Sequence, residues 1–163
     1  MNRHLKRLAG IVVSSSVVLA IAGCATAPAT RVGTGDVVAD RQRLMKLNGA
    51  SWADVQAKAK AGNIEAIAVN AETMAINAMH IPSLFPPGSL TEKSKAKPEV
   101  WQKWEEFEKA AKNFQVQAEK LRDTARTKNA EATQAVIKDF GRQTCGACHT
   151  PFRVPPPKPP ARS

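Results

Sequence analysis

Histidine and cysteine are scarce in this chain, at three each, tyrosine is missing, and aromatic residues make up 5%. Each shortage removes a class of function. No cluster of lysine and arginine is interleaved with aromatics, so the stacking platform of a nucleic-acid site is missing. No stretch alternates apolar and polar residues with a period of two, which argues against a half-buried sheet. No apolar run reaches the ~20 residues that span a bilayer. The longest, from about Leu8 to Ala22, contains three serines. A structural zinc site takes four ligands in a tetrahedron. Outside one C-terminal cluster the remaining candidates are Cys24, near the start of the chain, and an isolated His80.

What is present begins with export. Arg3, Lys6 and Arg7 precede the apolar run and small residues follow it, the layout of a secretory signal over residues 1–23. "IAGC" at Ile21–Cys24 matches a bacterial lipoprotein cleavage box and makes Cys24 a candidate for lipidation, with "ATA" and "APA" just downstream as competing cleavage sites. Residues 24–35 read as a linker. Loss of residues 1–23 leaves 21 basic and 14 acidic side chains, a formal +7. A charge of that sign steers toward an acidic protein partner or an anionic membrane surface. The expectation is a periplasmic protein, tethered to the envelope if Cys24 is lipidated.

Four segments then carry helical periodicity. Val38, Arg41, Met45, Asn48, Trp52, Val55 and Ala59 recur at alternating steps of three and four, with Asp36 as N-cap and Gly62–Asn63 as stop. Ile64, Ile67, Ala71, Met74, Ala78 and Ile81 repeat the spacing up to Pro82. Pro98 opens a third segment, and Val100, Trp104, Phe107, Ala111, Phe114, Ala118, Leu121 and Ala125 keep the register without a break. After Lys128–Asn129, Ala132, Val136, Phe140 and Ala147 mark a less regular fourth helix. The pattern predicts an all-α fold, an antiparallel up-down-up-down four-helix bundle over residues 36–154. The connection from about Ile81 to Lys97 is long for a bundle, and such connections usually have a function or are disordered; Leu84 and Phe85 suggest that this one packs back over the bundle. Residues 155–163 form a proline-rich tail, expected to be extended.

The fourth segment ends in "RQTCGACHTPFR". Cys145, Cys148 and His149 spell C-x-x-C-H, the attachment signature of c-type haem. Two thiols three residues apart on a helix share a side, so each can add to one vinyl group, and the adjacent histidine is carried to the iron as proximal ligand. A thioredoxin-type disulfide would need a βαβ context that this chain lacks. Two free thiols would be reactive in an oxidising compartment. For the opposite side of the iron the candidates are Met45, Met74, Met79 and His80. Met45 is set apart by its seam neighbours Arg41 and Asn48, which an ordinary apolar core would not place there. Periodicity alone leaves the choice open.

A helical bundle with its haem motif at the C-terminal end resembles the class II c-type cytochromes, the cytochrome c′ family. The likeness extends over "RQRLMKLNG", "IPSLFPPGS", "KPEVWQKWEEF" and "CGACHTPFR". "LMKLNG" is most similar to the low-spin cytochrome c-556 type. That resemblance implies one covalent haem c per chain, held by thioether bonds from Cys145 and Cys148, with His149 as proximal and Met45 as distal iron ligand. It also implies Arg41 as a contact to a haem propionate and Arg153 as a basic group near the proximal histidine. Pro151 is a departure, expected to bend or stop the helix before Arg153.

The implied activity is one-electron transfer between redox partner proteins of the envelope, without enzymatic turnover. The alternative is a five-coordinate protein that binds nitric oxide or carbon monoxide, with Met45 packed over the iron but not bonded. A peroxidase would want a spare distal histidine and arginine, which are not evident. Cytochromes c′ often pair through their first two helices, so a homodimer is a further option.

Overall fold

A computed structural model describes residues 33–157. The signal segment, Cys24, most of the linker and residues 158–163 lie outside the described residues.

The order is α1 (Val37–Lys60), α2 (Ile67–His80), a 3-10 turn (Pro82–Leu84), α3 (Glu99–Gln102), α4 (Trp104–Arg126), α5 (Ala130–Gly141), a π turn (Arg142–Gly146) and α6 (Ala147–Phe152). The four long segments α1, α2, α4 and α5 with α6 form an all-α four-helix bundle. Among the described residues the sole β feature is an isolated bridge between Ala96 and Arg153.

Local chemistry sets the ends of the helices. The Asp36 carboxylate accepts from the Val38 and Ala39 amides, so it satisfies two of the four donors a helix start leaves open. At the far end Gly62 takes φ +76, the left-handed conformation that costs glycine nothing. Asn129 caps α5 through the Ala132 amide.

The predicted seams of the first three segments face inward. Val55, Ile67, Ala71, Met74, Phe107, Ala118 and Leu121 are fully buried, and α2 packs chiefly against α4 and next against α1. Small alanines on α2 and α4 permit that close approach, while Phe107 and Phe140 fill the volume at either end.

Two expectations are corrected. The third segment is not continuous: Lys103, at φ −124 and ψ 50, separates the single turn of α3 from α4. The offset leaves Val100 and Phe107 buried while the Trp101 indole N–H reaches outward to the carbonyls of Phe85 (3.0 Å) and Pro86 (3.1 Å). In the fourth segment Ala147 is exposed rather than on the seam. The inward residues are Phe140, Thr144, half-buried Cys148 and Phe152, three successive steps of four. Three turns of regular α-helix take about 10.8 residues, so this spacing needs about one extra. The π turn supplies it.

Candidate functional site

A cavity of about 520 Å³ opens beside α1, α3, α6 and the 81–97 connection. Its size falls within the range of small-molecule and cofactor sites. The wall is mostly apolar, with Val38, Ile81, Phe85, Val100, Phe107 and Phe152 contributing.

α6 brings Cys148 and His149 to this wall, and α1 brings Arg41 and Met45. The π turn decides which residues of α6 face the cavity, because one inserted residue rotates everything after it by about 100°. Side chains brace the turn: Thr144 Oγ1 donates back to Phe140 O of α5 (2.6 Å), and Asn113 Nδ2 of α4 donates to Gln143 O (2.7 Å). Cys145 lies in the turn, half-buried, with its sulfur 3.6 Å from Thr144 Oγ1, and does not line the cavity.

Burial pushes the Cys148 thiol up to about 11, with the neighbouring Cys145 adding to the rise. A thiol held protonated is a poor exchange nucleophile, which argues against a thioredoxin-like use. Burial, and then the positive charge of Arg153, lowers the pKa of His149. Neutral imidazole is the form that ligates a metal.

Of the candidates for the far side of the iron, only Met45 lines the cavity. Met74 is 1% exposed in the core, Met79 is 61% exposed, and His80 lies exposed at the end of α2. Met45 and His149 therefore share one apolar space, a thioether and a neutral imidazole brought from separate elements.

Arg41 is 5% exposed and caged. Its Nη2 donates to Ser89 O (2.8 Å), its Nε to Val37 O (3.3 Å), and its guanidinium lies 4.4 Å from the Phe85 ring centre. Nη1 has no partner. An unpaired buried guanidinium nitrogen beside a cofactor-sized cavity is what an anionic group such as a propionate would satisfy. The cavity lining thus fits haem: the Cys148 thiol, an imidazole, a thioether, apolar walls and one free cationic donor, with Cys145 in the adjoining turn.

As expected, the helix stops just after Pro151 and before Arg153. α6 continues to Phe152, and the chain turns extended only at Arg153, at φ −123 and ψ 137. Arg153 donates its amide to His149 O (3.1 Å), and its exposed side chain lines the cavity mouth. Sequence reasoning missed the other basic residues there, Lys46 and Lys95. No periodic signal marks them. The π turn did leave a trace, the run of four-residue steps from Phe140 to Phe152.

Comparison with known proteins shows the family. A family model described as Cytochrome C' matches residues 36–153. The chain is 32% identical over 120 residues to a cytochrome c-556 of Agrobacterium tumefaciens (strain II Chrys), covering 72% of this chain and 96% of the relative. Among solved structures, the cytochrome c′ of Rubrivivax gelatinosus superposes with a TM-score of 0.64 at 25% identity, covering 73% of this chain and 95% of that one. A cytochrome c′ described as having ligand-controlled dimer dissociation gives 0.66 at 26% identity, with the same coverage.

Proposed function

Because this chain belongs to the cytochrome c′ family and binds haem c, we propose that it is an exported monohaem electron carrier with His149 and Met45 as axial ligands. Haem c supplies a reversible one-electron couple at iron. One observation carries the ligand assignment: Met45 and His149 line the same cavity, whereas Met74 and Met79 do not. Cys145 and Cys148 would hold the group by thioether bonds. His149 presents a neutral imidazole, and Met45 a thioether, a ligand that raises the potential. Arg41 Nη1 offers a charge-assisted bond to a propionate. Phe85, Phe107 and Phe152 keep water out of the interior side.

The optical spectrum of the purified holoprotein tests this reading. Sharp reduced α and β bands, and indifference of the ferrous protein to carbon monoxide, are expected. A broad high-spin spectrum that shifts at once with carbon monoxide would replace the reading with five-coordinate gas binding.

The site would work in the periplasm, with Cys24 as a lipid tether, and exchange electrons with acidic partners. Lys46, Lys95 and Arg153 line the cavity mouth, and among the described residues no acidic side chain does. Like-for-like redox probes report this. The oxidation rate by an anionic small-molecule oxidant should fall several-fold as salt rises from about 0.01 M to about 1 M, where screening shortens from about 30 Å to about 3 Å. Equal salt dependence for a neutral oxidant would remove the steering.

A further inference from the structure

α1 and α6, which carry Met45 and His149, have no close backbone approach to each other. The cavity lies beside both. The connection of residues 81–97 is bonded to each of them. At its middle, Ser89 O receives Arg41 Nη2 (2.8 Å) and Lys93 O receives Gln42 Nε2 (3.0 Å), both from α1. At its end, Lys97 N donates to Phe152 O (2.9 Å), Lys97 Nζ to Thr150 O (3.0 Å), and Lys95 O accepts from the Val154 amide (2.8 Å).

The connection is also tied within itself. Ser89 closes a turn onto Pro86 O through both its amide (3.2 Å) and its hydroxyl (2.7 Å), and the Ser94 amide closes a second onto Thr91 O (2.9 Å). Trp101 Nε1 pins Phe85 O and Pro86 O from α3. A segment braced in this way can transmit a constraint, unlike a slack linker.

The end of α6 has a specific need for it. The chain leaves the helix at Arg153, so the carbonyls of Thr150 and Phe152, among the last four of α6, have no donor further along the helix. Lys97 supplies both, one by its backbone and one by its ammonium, which also suits a helix C-terminus. His149 precedes Thr150 directly.

We propose that the 81–97 connection is a strap that sets the gap between α1 and α6, with Lys97 as the positioning residue for His149. It rests on the His149 and Met45 reading, because that gap is what Met45 must close. A strap that holds both elements keeps the methionine within reach of the iron; a loosened one lets the proximal turn drift.

The test compares holoprotein carrying Lys97→Met, Lys97→Arg or, as a control for a lost surface charge, Lys109→Met. Lys97→Met should accelerate hydrogen exchange at the Arg153 and Val154 amides about tenfold. It should also raise the fraction of ferrous protein that binds carbon monoxide rapidly, with Lys97→Arg restoring both properties. Exchange or carbon monoxide binding in Lys97→Met equal to that in Lys109→Met would overturn the proposal. If the unmodified protein itself binds carbon monoxide at once, the ligand reading fails separately. The positioning of His149 is then read from the ferrous iron–histidine stretching frequency, to which Met45 does not contribute. An unchanged frequency in Lys97→Met overturns the strap, and a shifted one with faster exchange supports it.

Discussion

Replacing Met45 with alanine is expected to raise the carbon monoxide affinity of the ferrous protein about a hundredfold, on the footing that a bonded thioether leaves the competent form about 1% populated. The variant should also lose the weak ferric band at the red end of the spectrum, and its reduction potential should fall. Met45 is half-buried and lines the cavity rather than filling the core. Stability should therefore change far less than ligand binding. Carbon monoxide titration of both proteins decides the matter: equal affinities would mean that Met45 packs over the iron without bonding, and the gas-binding alternative would take its place.

The largest effect on stability is expected at Phe107. Its ring is 2% exposed, 4.8 Å from Phe85, 5.5 Å from Trp104 and 5.4 Å from Phe152 between ring centres. It joins α4 to the strap, to the start of its own helix and to α6 at once, and it lines the cavity. Alanine there removes the burial of a large aromatic and leaves a void that three neighbouring rings cannot all collapse to fill. The expected cost is about 3–5 kcal/mol, a large part of the roughly 5–15 kcal/mol typical of a domain. Val69→Ala, at a residue 70% exposed on α2, should stay within about 0.5 kcal/mol of the unmodified protein. Urea unfolding of the two holoproteins measures both. A cost at Phe107 below about 1 kcal/mol would show that this ring cluster does not hold the cavity end together.

Helical segments and their inward faces were legible from spacing, because neighbours three and four apart share a helix face whatever the rest of the chain does. All six seam residues from Ile64 to Ile81 are buried, as are Arg41 and Asn48, polar members of the first seam. The haem motif was legible for a similar reason: its chemistry is written into five consecutive positions. The interruption at Lys103 was not. Its φ and ψ reflect the competing demands of Trp101, which reaches the connection, and Phe107, which enters the core, and periodicity carries no sign of that competition. The irregularity near the fourth helix was visible, but its meaning was misread at Ala147, since a π turn shifts phase by one residue and a regular-helix template cannot represent it.

The sequence by itself determined the inward faces of the first three helical segments, the cofactor signature and the basic balance, and left Met45 as one of four candidates opposite His149. Only the tertiary structure decided which methionine reaches the cavity, that Arg41 has one nitrogen without a partner, and that the long connection bonds to both α1 and α6. The physical reason lies in range. Helix propensity and seam spacing are settled within a few residues along the chain. The bonds of Arg41 to Ser89, Gln42 to Lys93 and Lys97 to Thr150 join positions 48, 51 and 53 residues apart, and no local pattern records such a pairing before the chain has folded.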